Sequence, residues 1–267
     1  MLPNLLLIGA MKAGTTSLYE DLAALPGVHM APEKEPDDLI HPATETPKGR
    51  AAYAAKFAGG AQAMWRGEAS TAYTKRPTHE GVAARAKRVL GPDLRLIYLT
   101  RDPVARILSQ YHHLWGLRLE HRALNDAVLS DPSYLAYSRY DWQLAPWRAE
   151  FPEAQILILR FEDYIADKAH VMAKVCAFLN LPAPTAVETT HRNASASKRF
   201  VPRGGLAAKI LHSRLYFYAL KPLIPRALKD AIKARALPQA RPMTEALTPE
   251  TRATLAKRLE GSCAAST

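Results

Sequence analysis

The sequence predicts an α/β fold of three layers, α/β/α, in which helices cover both faces of a central parallel sheet. Three short and mainly apolar runs, at residues 5–8, 94–100 and 155–160, are typical of strands that are buried on both faces. Segments with helical spacing of apolar residues follow these runs. Strands that alternate with helices in this way build a parallel sheet, because each connection has to cross back over a face of the sheet.

Each element follows from a local signal. Residues 5–8 are predicted as the first strand, and a helix over residues 15–25 ends at Pro26-Gly27, which cannot continue a helix. Pro103 opens a helix over residues 103–120, at a position where its missing N–H costs nothing. The other predicted elements are short strands at 28–30 and 64–69, a loop over 31–48, and helices at 51–57, 81–90, 140–150, 168–179, 205–220 and 248–259.

The composition is that of an ordinary globular protein, which excludes collagen-like and broadly disordered classes. Hydrophobic residues make up 48% of the 267 residues and charged residues 23%. We expect a single domain over residues 1–267, with an α/β core at 1–180 and a helical, basic C-terminal part at 181–267. The apolar runs are far shorter than the roughly 20 residues of a membrane span, and no basic region precedes the apolar start. Cys176 and Cys263 show no disulfide or metal-ligand spacing, so we expect a cytoplasmic protein.

The positive charge is concentrated in one stretch. The whole chain carries a formal charge of +11, and residues 198–241 contain eleven basic residues and one acidic residue. The rest of the chain is therefore nearly neutral. A basic segment on a neutral body indicates an anionic partner, such as a nucleotide, an acidic glycan or a membrane surface. We expect no nucleic-acid partner, because aromatic and basic residues do not alternate on a recognisable module, and the sequence does not predict an oligomeric state.

A candidate phosphate-binding loop lies between the first strand and the first helix. Residues 9–17 read Gly-Ala-Met-Lys-Ala-Gly-Thr-Thr-Ser, and a glycine-containing loop at this place directs its amides and the helix dipole at an anion. The glycine spacing is that of a Walker A loop, so the predicted fold is P-loop-like, but Thr15 stands where Walker A has lysine. The lysine comes earlier, at Lys12, which indicates a different leaving group. The candidate anion-binding residues are Lys12, Ala13, Gly14, Thr15, Thr16 and Ser17.

A second motif follows the strand at 94–100. Residues 98–111 read Tyr-Leu-Thr-Arg-Asp-Pro-Val-Ala-Arg-Ile-Leu-Ser-Gln-Tyr, with no aspartate at the strand end for Mg²⁺. Together with residues 8–18, this motif resembles the sulfotransferases that use 3′-phosphoadenosine 5′-phosphosulfate (PAPS). The resemblance covers roughly residues 4–180. It implies that the loop at 12–17 binds the 5′-phosphosulfate and that Arg101 and Ser109 bind the 3′-phosphate.

The proton acceptor is predicted in the charged run at residues 32–36, Pro-Glu-Lys-Glu-Pro. Transfer of a sulfuryl group to a hydroxyl requires removal of the acceptor proton, and a carboxylate can perform this step. The family branch that acts on carbohydrate chains uses a glutamate in this context, and the resemblance assigns the role to Glu35, with Glu33 as the alternative. A solvated loop without a catalytic role is the other interpretation. His112 and His113 are further candidates, although helix histidines more often pack or face solvent.

The acceptor and the C-terminal contacts are less sharply predicted. A carbohydrate or glycolipid hydroxyl is the expected acceptor, and a small-molecule alcohol or phenol is the alternative. The alternative stays open because two positions depart from the pattern of the carbohydrate-specific members. Residues 37–39 read Asp-Asp-Leu in place of His-Phe-Phe, and Ala69 stands in place of lysine. The resemblance suggests Lys198 and Arg199 as cofactor contacts. The helix at 205–220 could lie on an anionic membrane surface or pack on the core. The run Arg-Phe-Glu-Asp at 160–163 is interpreted as a salt-bridged strand end. Five aromatic residues could stack on an acceptor or fill the core: Tyr134, Tyr137, Tyr140, Trp142 and Trp147.

The sequence therefore predicts a PAPS-dependent sulfotransferase with Lys12 and Glu35 as catalytic residues. Lys12 would neutralise charge on the bridging oxygen as the S–O bond breaks, and Glu35 would take the acceptor proton. No metal is expected to be required, because Lys12 and the helix N-terminus supply the positive field. Two other classes stay open, a P-loop nucleotide kinase that binds ATP with Mg²⁺ and a non-catalytic anion-binding or membrane-surface module.

Overall fold

The computed structural model describes residues 1–182 and 245–261. Several sequence predictions fall outside these described residues. They are the basic stretch at 198–241, the helix at 205–220, the cofactor contacts Lys198 and Arg199, and Cys263.

The described residues form a five-stranded, fully parallel sheet with the strand order β2-β3-β1-β4-β5. The predicted strands are confirmed, with ends that differ by no more than one residue. β1 is buried at all of its positions, which explains its continuous apolar sequence. The strands are β1 (Leu5–Gly9), β2 (Val28–Met30), β3 (Trp65–Ala69), β4 (Arg95–Thr100) and β5 (Ile156–Arg160).

Helices surround the sheet. Their bounds are α1 (Thr15–Ala24), α2 (Pro47–Ala55), α3 (Val82–Leu90), α4 (Pro103–Gly116), α5 (Leu124–Ser130), α6 (Pro132–Ala136), α7 (Tyr140–Glu150), α8 (Phe161–Ala166), α9 (Lys168–Phe178) and α10 (Pro249–Leu259). The predicted helices at 81–90, 140–150, 168–179 and 248–259 are confirmed with small shifts at their ends.

The helices form a layer on each face of the sheet, as predicted. The connection from β1 to β2 runs toward one side edge of the sheet, whereas the connections from β3 to β4 and from β4 to β5 run toward the other. Because parallel crossovers are right-handed, connections that run in opposite directions lie on opposite faces of the sheet. α8 and α9 share the face of α1, because the Tyr164 hydroxyl and the Lys168 ammonium both bind the carboxylate of Asp21 on α1. The direction of winding reverses between β1 and β4, and open α/β sheets bind ligands at such a reversal.

Three segments differ from the sequence predictions. The connection at 31–48 is not a simple loop, because it contains short 3-10 helices at Asp38–Ile40 and Pro42–Glu45 and the start of α2. α2 begins early because the Thr46 hydroxyl accepts a hydrogen bond from a first-turn amide at 3.1 Å. α4 ends at Gly116 and not at the predicted residue 120. Two residues after this end, Arg118 adopts a positive φ of 55°, which a helix cannot contain. α5, α6 and α8 were not predicted, because they are too short to show a helical period.

The C-terminal helix α10 packs against α4, α5 and α6. This contact forms a hydrophobic cluster beside the core of the sheet, with Tyr111 and Leu255 fully buried in it. Glu245 and Asn125 add polar contacts, since the Leu124 amide donates to Glu245 Oε2 at 2.6 Å and the Thr248 amide to Asn125 Oδ1 at 3.0 Å. Over residues 1–182 and 245–261, we find no helix with the length and apolar character that crossing a membrane requires.

Candidate active site

The loop between β1 and α1 is shaped by two residues with positive φ. Lys12 has a φ of 69° and Gly14 a φ of 92°. A Cβ atom on Gly14 would lie 2.6 Å from ring atoms of Phe161, so only glycine fits at this position. Gly14 is the N-cap of α1, and the helix starts directly at Thr15. The start of a helix therefore belongs to the predicted phosphate loop, which is the arrangement that binds anions.

Two of the predicted amide donors are used inside this loop. The amides of Ala13 and Ser17 donate to loop carbonyl oxygens at 3.2 Å and 3.0 Å. This leaves the amides of Gly14, Thr15 and Thr16 as candidates for an anion, because amides at the start of a helix have no preceding carbonyl to bind. The Thr15 side chain is buried, whereas those of Thr16 and Ser17 are partly exposed.

Arg101, directly after β4, reaches the phosphate loop. Its Nη1 atom donates to the Lys12 carbonyl oxygen at 3.2 Å, and its guanidinium carbon lies 4.9 Å from the centroid of the Phe161 ring. Phe161 therefore contacts both Arg101 and the chain at Gly14. Phe161 is not among the predicted site residues. Its position immediately after a strand, at the same edge of the sheet as the loop, is the signal that could have found it.

Ser109 lies on α4, about 9 Å along the helix axis from Pro103, and its side chain is partly exposed. The start of α4 is held at two points. Asp102 Oδ1 accepts a hydrogen bond from the Ala105 amide at 2.7 Å, and the Asp102 amide donates to Glu162 Oε1 at 2.8 Å. The strand end that carries Arg101 and the helix that carries Ser109 are therefore fixed to each other.

Glu35 lies after β2, on a loop that passes the end of β3. It has a positive φ of 59°, and its amide donates to the Ala69 carbonyl at 2.9 Å. Its carboxylate Oε1 accepts hydrogen bonds from Lys34 Nζ at 2.9 Å and Thr71 Oγ1 at 3.2 Å. Burial acts to raise the pKa of Glu35, but the Lys34 and Lys75 charges and the Thr71 hydroxyl outweigh it, and the pKa lies below its usual value. Glu35 is therefore a carboxylate at neutral pH.

The alternative bases occupy different places. Glu33 Oε2 lies 3.7 Å from Lys56 Nζ, which also binds Asp38 at 2.5 Å. Burial lowers the pKa of His112, and the Lys12 charge lowers it further, so the His112 imidazole lies within electrostatic reach of the phosphate loop. The structure therefore relates the His112 imidazole to the Lys12 charge.

The two predicted motifs thus meet at the carboxyl edge of the sheet, and a comparison with known proteins agrees with them. The sequence profile of the sulfotransferase domain matches residues 2–199 of the 267 residues. The chain belongs to the sulfotransferase family. The crystal structure of a sulfotransferase from Alicyclobacillus acidocaldarius superposes with a TM-score of 0.63 and 26% identity, over 72% of this chain and 86% of that one.

Two curated relatives are mammalian enzymes. Mouse heparan sulfate glucosamine 3-O-sulfotransferase 3A1 is 30% identical over 67% of this chain and 46% of its own length. Human carbohydrate sulfotransferase 15 is 27% identical over 67% of this chain and 44% of its own length. The chain therefore matches less than half of the length of these relatives.

The aromatic residues of this sulfotransferase chain mainly fill its core. Trp142 differs, because it is 38% exposed and the Arg76 guanidinium lies 4.3 Å from the centroid of its ring. The run at 160–163 shows the expected strand-end ion pair, but Arg160 and Asp163 are 3.9 Å apart and half-exposed. Core packing is confirmed for the buried aromatic residues Tyr134, Tyr137, Tyr140 and Trp147.

The residues present fit the nucleotide that the family implies. The absence of a Cβ at Gly14 lets the backbone lie close against the Phe161 ring, and the Arg101 guanidinium reaches the loop that carries Lys12. A phosphosulfate would be held by Lys12 and the amides at the start of α1, and a 3′-phosphate by Arg101 and Ser109. Among the residues that the structure describes, no group of three or more His, Cys, Asp or Glu side chains could hold a metal ion.

Proposed function

We propose that this chain transfers the sulfuryl group of PAPS to an acceptor hydroxyl. The observation that carries the proposal is the hydrogen bond from Arg101 to the Lys12 carbonyl, which joins residues 89 positions apart in the sequence. It brings the candidate 3′-phosphate ligand against the candidate phosphosulfate loop. Membership of the sulfotransferase family supports the same assignment.

In the proposed mechanism, four groups of the chain hold the donor. The amides at the start of α1 and the Lys12 ammonium bind the phosphosulfate, while Arg101 and Ser109 bind the 3′-phosphate and so fix the direction of transfer. PAPS supplies an activated sulfuryl group and a nucleotide leaving group. Lys12 neutralises the charge that grows on the bridging oxygen, an interaction that is strongest in the transition state. We propose that no metal is required, because Lys12 and the helix N-terminus provide the positive field.

Glu35 is proposed as the general base. Its lowered pKa keeps it deprotonated at neutral pH, and its side chain is 44% exposed, so an acceptor hydroxyl can reach it. The carboxylate would take the hydroxyl proton while the acceptor oxygen attacks sulfur in line with the leaving group. Activity should consequently fall as the pH drops through the pKa of Glu35.

The proposed acceptor is a hydroxyl of a carbohydrate or glycolipid. This class is supported by the two mammalian relatives, one of which is named for heparan sulfate glucosamine and the other for carbohydrate. A small neutral alcohol or phenol is the second candidate. It is favoured by the carboxylates of Asp37 and Asp38, which follow Glu35 after Pro36 and would repel a polyanionic chain.

Calorimetric titration with 3′-phosphoadenosine 5′-phosphate in EDTA tests the donor site. We expect metal-free binding in the micromolar range, and we expect Arg101→Ala to weaken it about tenfold or more, because a charged hydrogen bond to phosphate is lost. Arg88→Ala is the matched control, since Arg88 lies at the end of α3, near the opposite edge of the sheet, and should leave the affinity unchanged. If the chain binds ATP in the presence of Mg²⁺ and does not bind 3′-phosphoadenosine 5′-phosphate, the proposal is overturned in favour of a nucleotide kinase.

A further inference from the structure

The last residue of β3 and the four residues after it support the loop that carries Glu35 at four points. The Ala69 carbonyl accepts from the Glu35 amide at 2.9 Å, and the Ser70 hydroxyl accepts from the Asp37 amide at 3.2 Å. The other two contacts are the hydrogen bond from the Thr71 hydroxyl to Glu35 Oε1 at 3.2 Å and that from the Leu39 amide to the Tyr73 hydroxyl at 3.2 Å. We call residues 69–73 the support segment.

The support segment holds a loop that would otherwise be unfavourable. Glu35 and Asp37 both have positive φ, at 59° and 56°, a conformation that residues with a Cβ rarely adopt. Such a backbone persists where surrounding contacts determine it, and it is common at functional sites. Thr71 is only 3% exposed, so its hydroxyl approaches the Glu35 carboxylate from the protein interior.

The two carboxylate oxygens of Glu35 have different surroundings. Oε1 accepts from both Lys34 Nζ and Thr71 Oγ1. Within the described part of the chain, Oε2 has no hydrogen-bond partner, and the side chain is 44% exposed. Resting on the proposed function of Glu35 as base, we propose that Thr71 is a positioning residue that anchors Oε1 and presents Oε2 as the oxygen that takes the acceptor proton.

The charges around Glu35 determine the sign of the effect. Lys34 on its own loop and Lys75 beyond the support segment favour the carboxylate, while burial opposes it. The Asp37 carboxyl also faces this group, since burial and the charge of Glu35 raise the pKa of Asp37. The Thr71 hydroxyl donates a stronger hydrogen bond to the ionised form than to the neutral acid, so it helps to keep the pKa of Glu35 low.

The test is the pH profile of kcat/KM for sulfuryl transfer from PAPS in Thr71→Val, which has nearly the same shape but no hydroxyl. We expect the midpoint of the acid limb to rise by roughly half a pH unit or more, which lowers the rate about threefold on the acid side. We expect kcat to fall while the KM for PAPS stays unchanged, because the donor site is separate. Thr71→Ser restores the hydroxyl and should return the midpoint of the acid limb and kcat toward the wild-type values.

Thr44→Val is the matched control. Thr44 is also buried, at 4% exposure, and its hydroxyl donates to the Asp38 carbonyl at 2.6 Å without touching Glu35. We expect its acid limb to keep the wild-type midpoint. An equal shift in this variant would overturn the proposal, because the shift would then report general loosening of the loop. Binding of 3′-phosphoadenosine 5′-phosphate in each variant verifies that the donor site is folded.

Two more variants separate the failure of this inference from that of the proposed function. Glu35→Gln should abolish transfer, and near-wild-type turnover in it would reject Glu35 as base and this inference with it. If Glu35→Gln is inactive but Thr71→Val keeps the wild-type midpoint, only the role of Thr71 is wrong. Lys34→Met removes the other hydrogen-bond donor to Glu35 Oε1 and should also raise the midpoint of the acid limb. This variant tests the anchoring of Oε1 if Thr71→Val does not fold. An unchanged midpoint in Lys34→Met would contradict the proposal that the donors to Oε1 control the ionisation of Glu35.

Discussion

Glu68 is a carboxyl group that the fold removes completely from water. It lies in β3, is 0% exposed, and accepts a hydrogen bond from the Tyr73 hydroxyl. Burial raises the pKa of Glu68 to about 8, although the Tyr73 hydrogen bond acts in the opposite direction. Tyr73 in turn accepts a hydrogen bond from the Leu39 amide, so this carboxyl lies beneath the loop that carries Glu35.

Glu68 makes the stability of the protein depend on pH. In the unfolded chain the carboxyl loses its proton near pH 4.5, whereas the folded protein retains it up to about pH 8. Between these values the folded state binds more protons, so the free energy of unfolding should fall with rising pH, by at most about 1.4 kcal/mol per pH unit from this group. We expect Glu68→Gln, which does not titrate, to flatten this slope in denaturant unfolding measured from pH 5 to pH 8.

The control for this prediction is Glu20→Gln, which alters an exposed carboxyl on α1. It should leave the slope of the wild-type curve in place. A slope that is the same in the wild type and in Glu68→Gln would show that Glu68 ionises alike in the folded and unfolded states, contrary to the burial seen here.

At the scale of elements, α4 connects the donor site to the rest of the molecule. Arg101 precedes it, Ser109 lies on it, and the Arg106 guanidinium is fully buried on it. Arg106 Nε donates to the Ser138 hydroxyl at 2.6 Å, and its Nη2 donates to the Tyr134 carbonyl at 2.8 Å. These contacts hold α4 to α6 and to the segment between α6 and α7, so the position of the candidate phosphate ligands depends on how the whole helix packs.

The N-cap of α4 should therefore affect both stability and nucleotide binding. Removal of the Asp102 cap in Asp102→Ala is expected to cost about 1 kcal/mol in the free energy of unfolding, and to weaken binding of 3′-phosphoadenosine 5′-phosphate. Asp167→Ala is the matched control, since Asp167 caps α9 through a hydrogen bond from the His170 amide at 3.0 Å. It should cost a similar free energy and leave the calorimetric affinity unchanged. Equal affinities in the two variants would contradict the proposed role of the cap.

At the scale of the whole molecule, the helix α10 completes a hydrophobic cluster whose other buried members lie between residues 104 and 134. α10 packs on α4, α5 and α6, with Leu255 fully buried and Leu259 5% exposed. The cluster includes Ile107 and Tyr111, on the same helix as Ser109. The contact joins the helix at Pro249–Leu259 to α4, α5 and α6.

Truncation of Leu255 tests the energetic weight of this contact. We expect Leu255→Ala to reduce the free energy of unfolding by roughly 2–5 kcal/mol, because it leaves a cavity in a packed cluster. Leu129→Ala serves as the comparison, since Leu129 is 38% exposed and its truncation should cost less than about 1 kcal/mol. Denaturant titrations give the free energy of unfolding of both variants. If Leu255→Ala lowers this free energy no more than Leu129→Ala does, α10 contributes little to the stability of the domain.

The sequence predicted elements best where one local signal decides them. The strands were located to within a residue, because short continuous apolar runs, such as the four residues 5–8 before Gly9, are typical of buried strands. The start of α4 was located by Pro103. The early start of α2, the 3-10 helices and the short helices α5, α6 and α8 were missed, since caps and single turns have no period to detect.

The sequence by itself determined the parallel α/β class, the phosphate loop with its displaced lysine at Lys12, and the two motifs that resemble sulfotransferases. These follow from residues that are neighbours in the chain, where periodicity and spacing are visible. Only the tertiary structure decided the contact of Phe161 with Arg101, the hydrogen bond from Thr71 to Glu35, and the burial of Glu68. The physical reason is that each depends on segments that meet only when the strands align, and contacts between distant segments leave no periodic trace in the sequence.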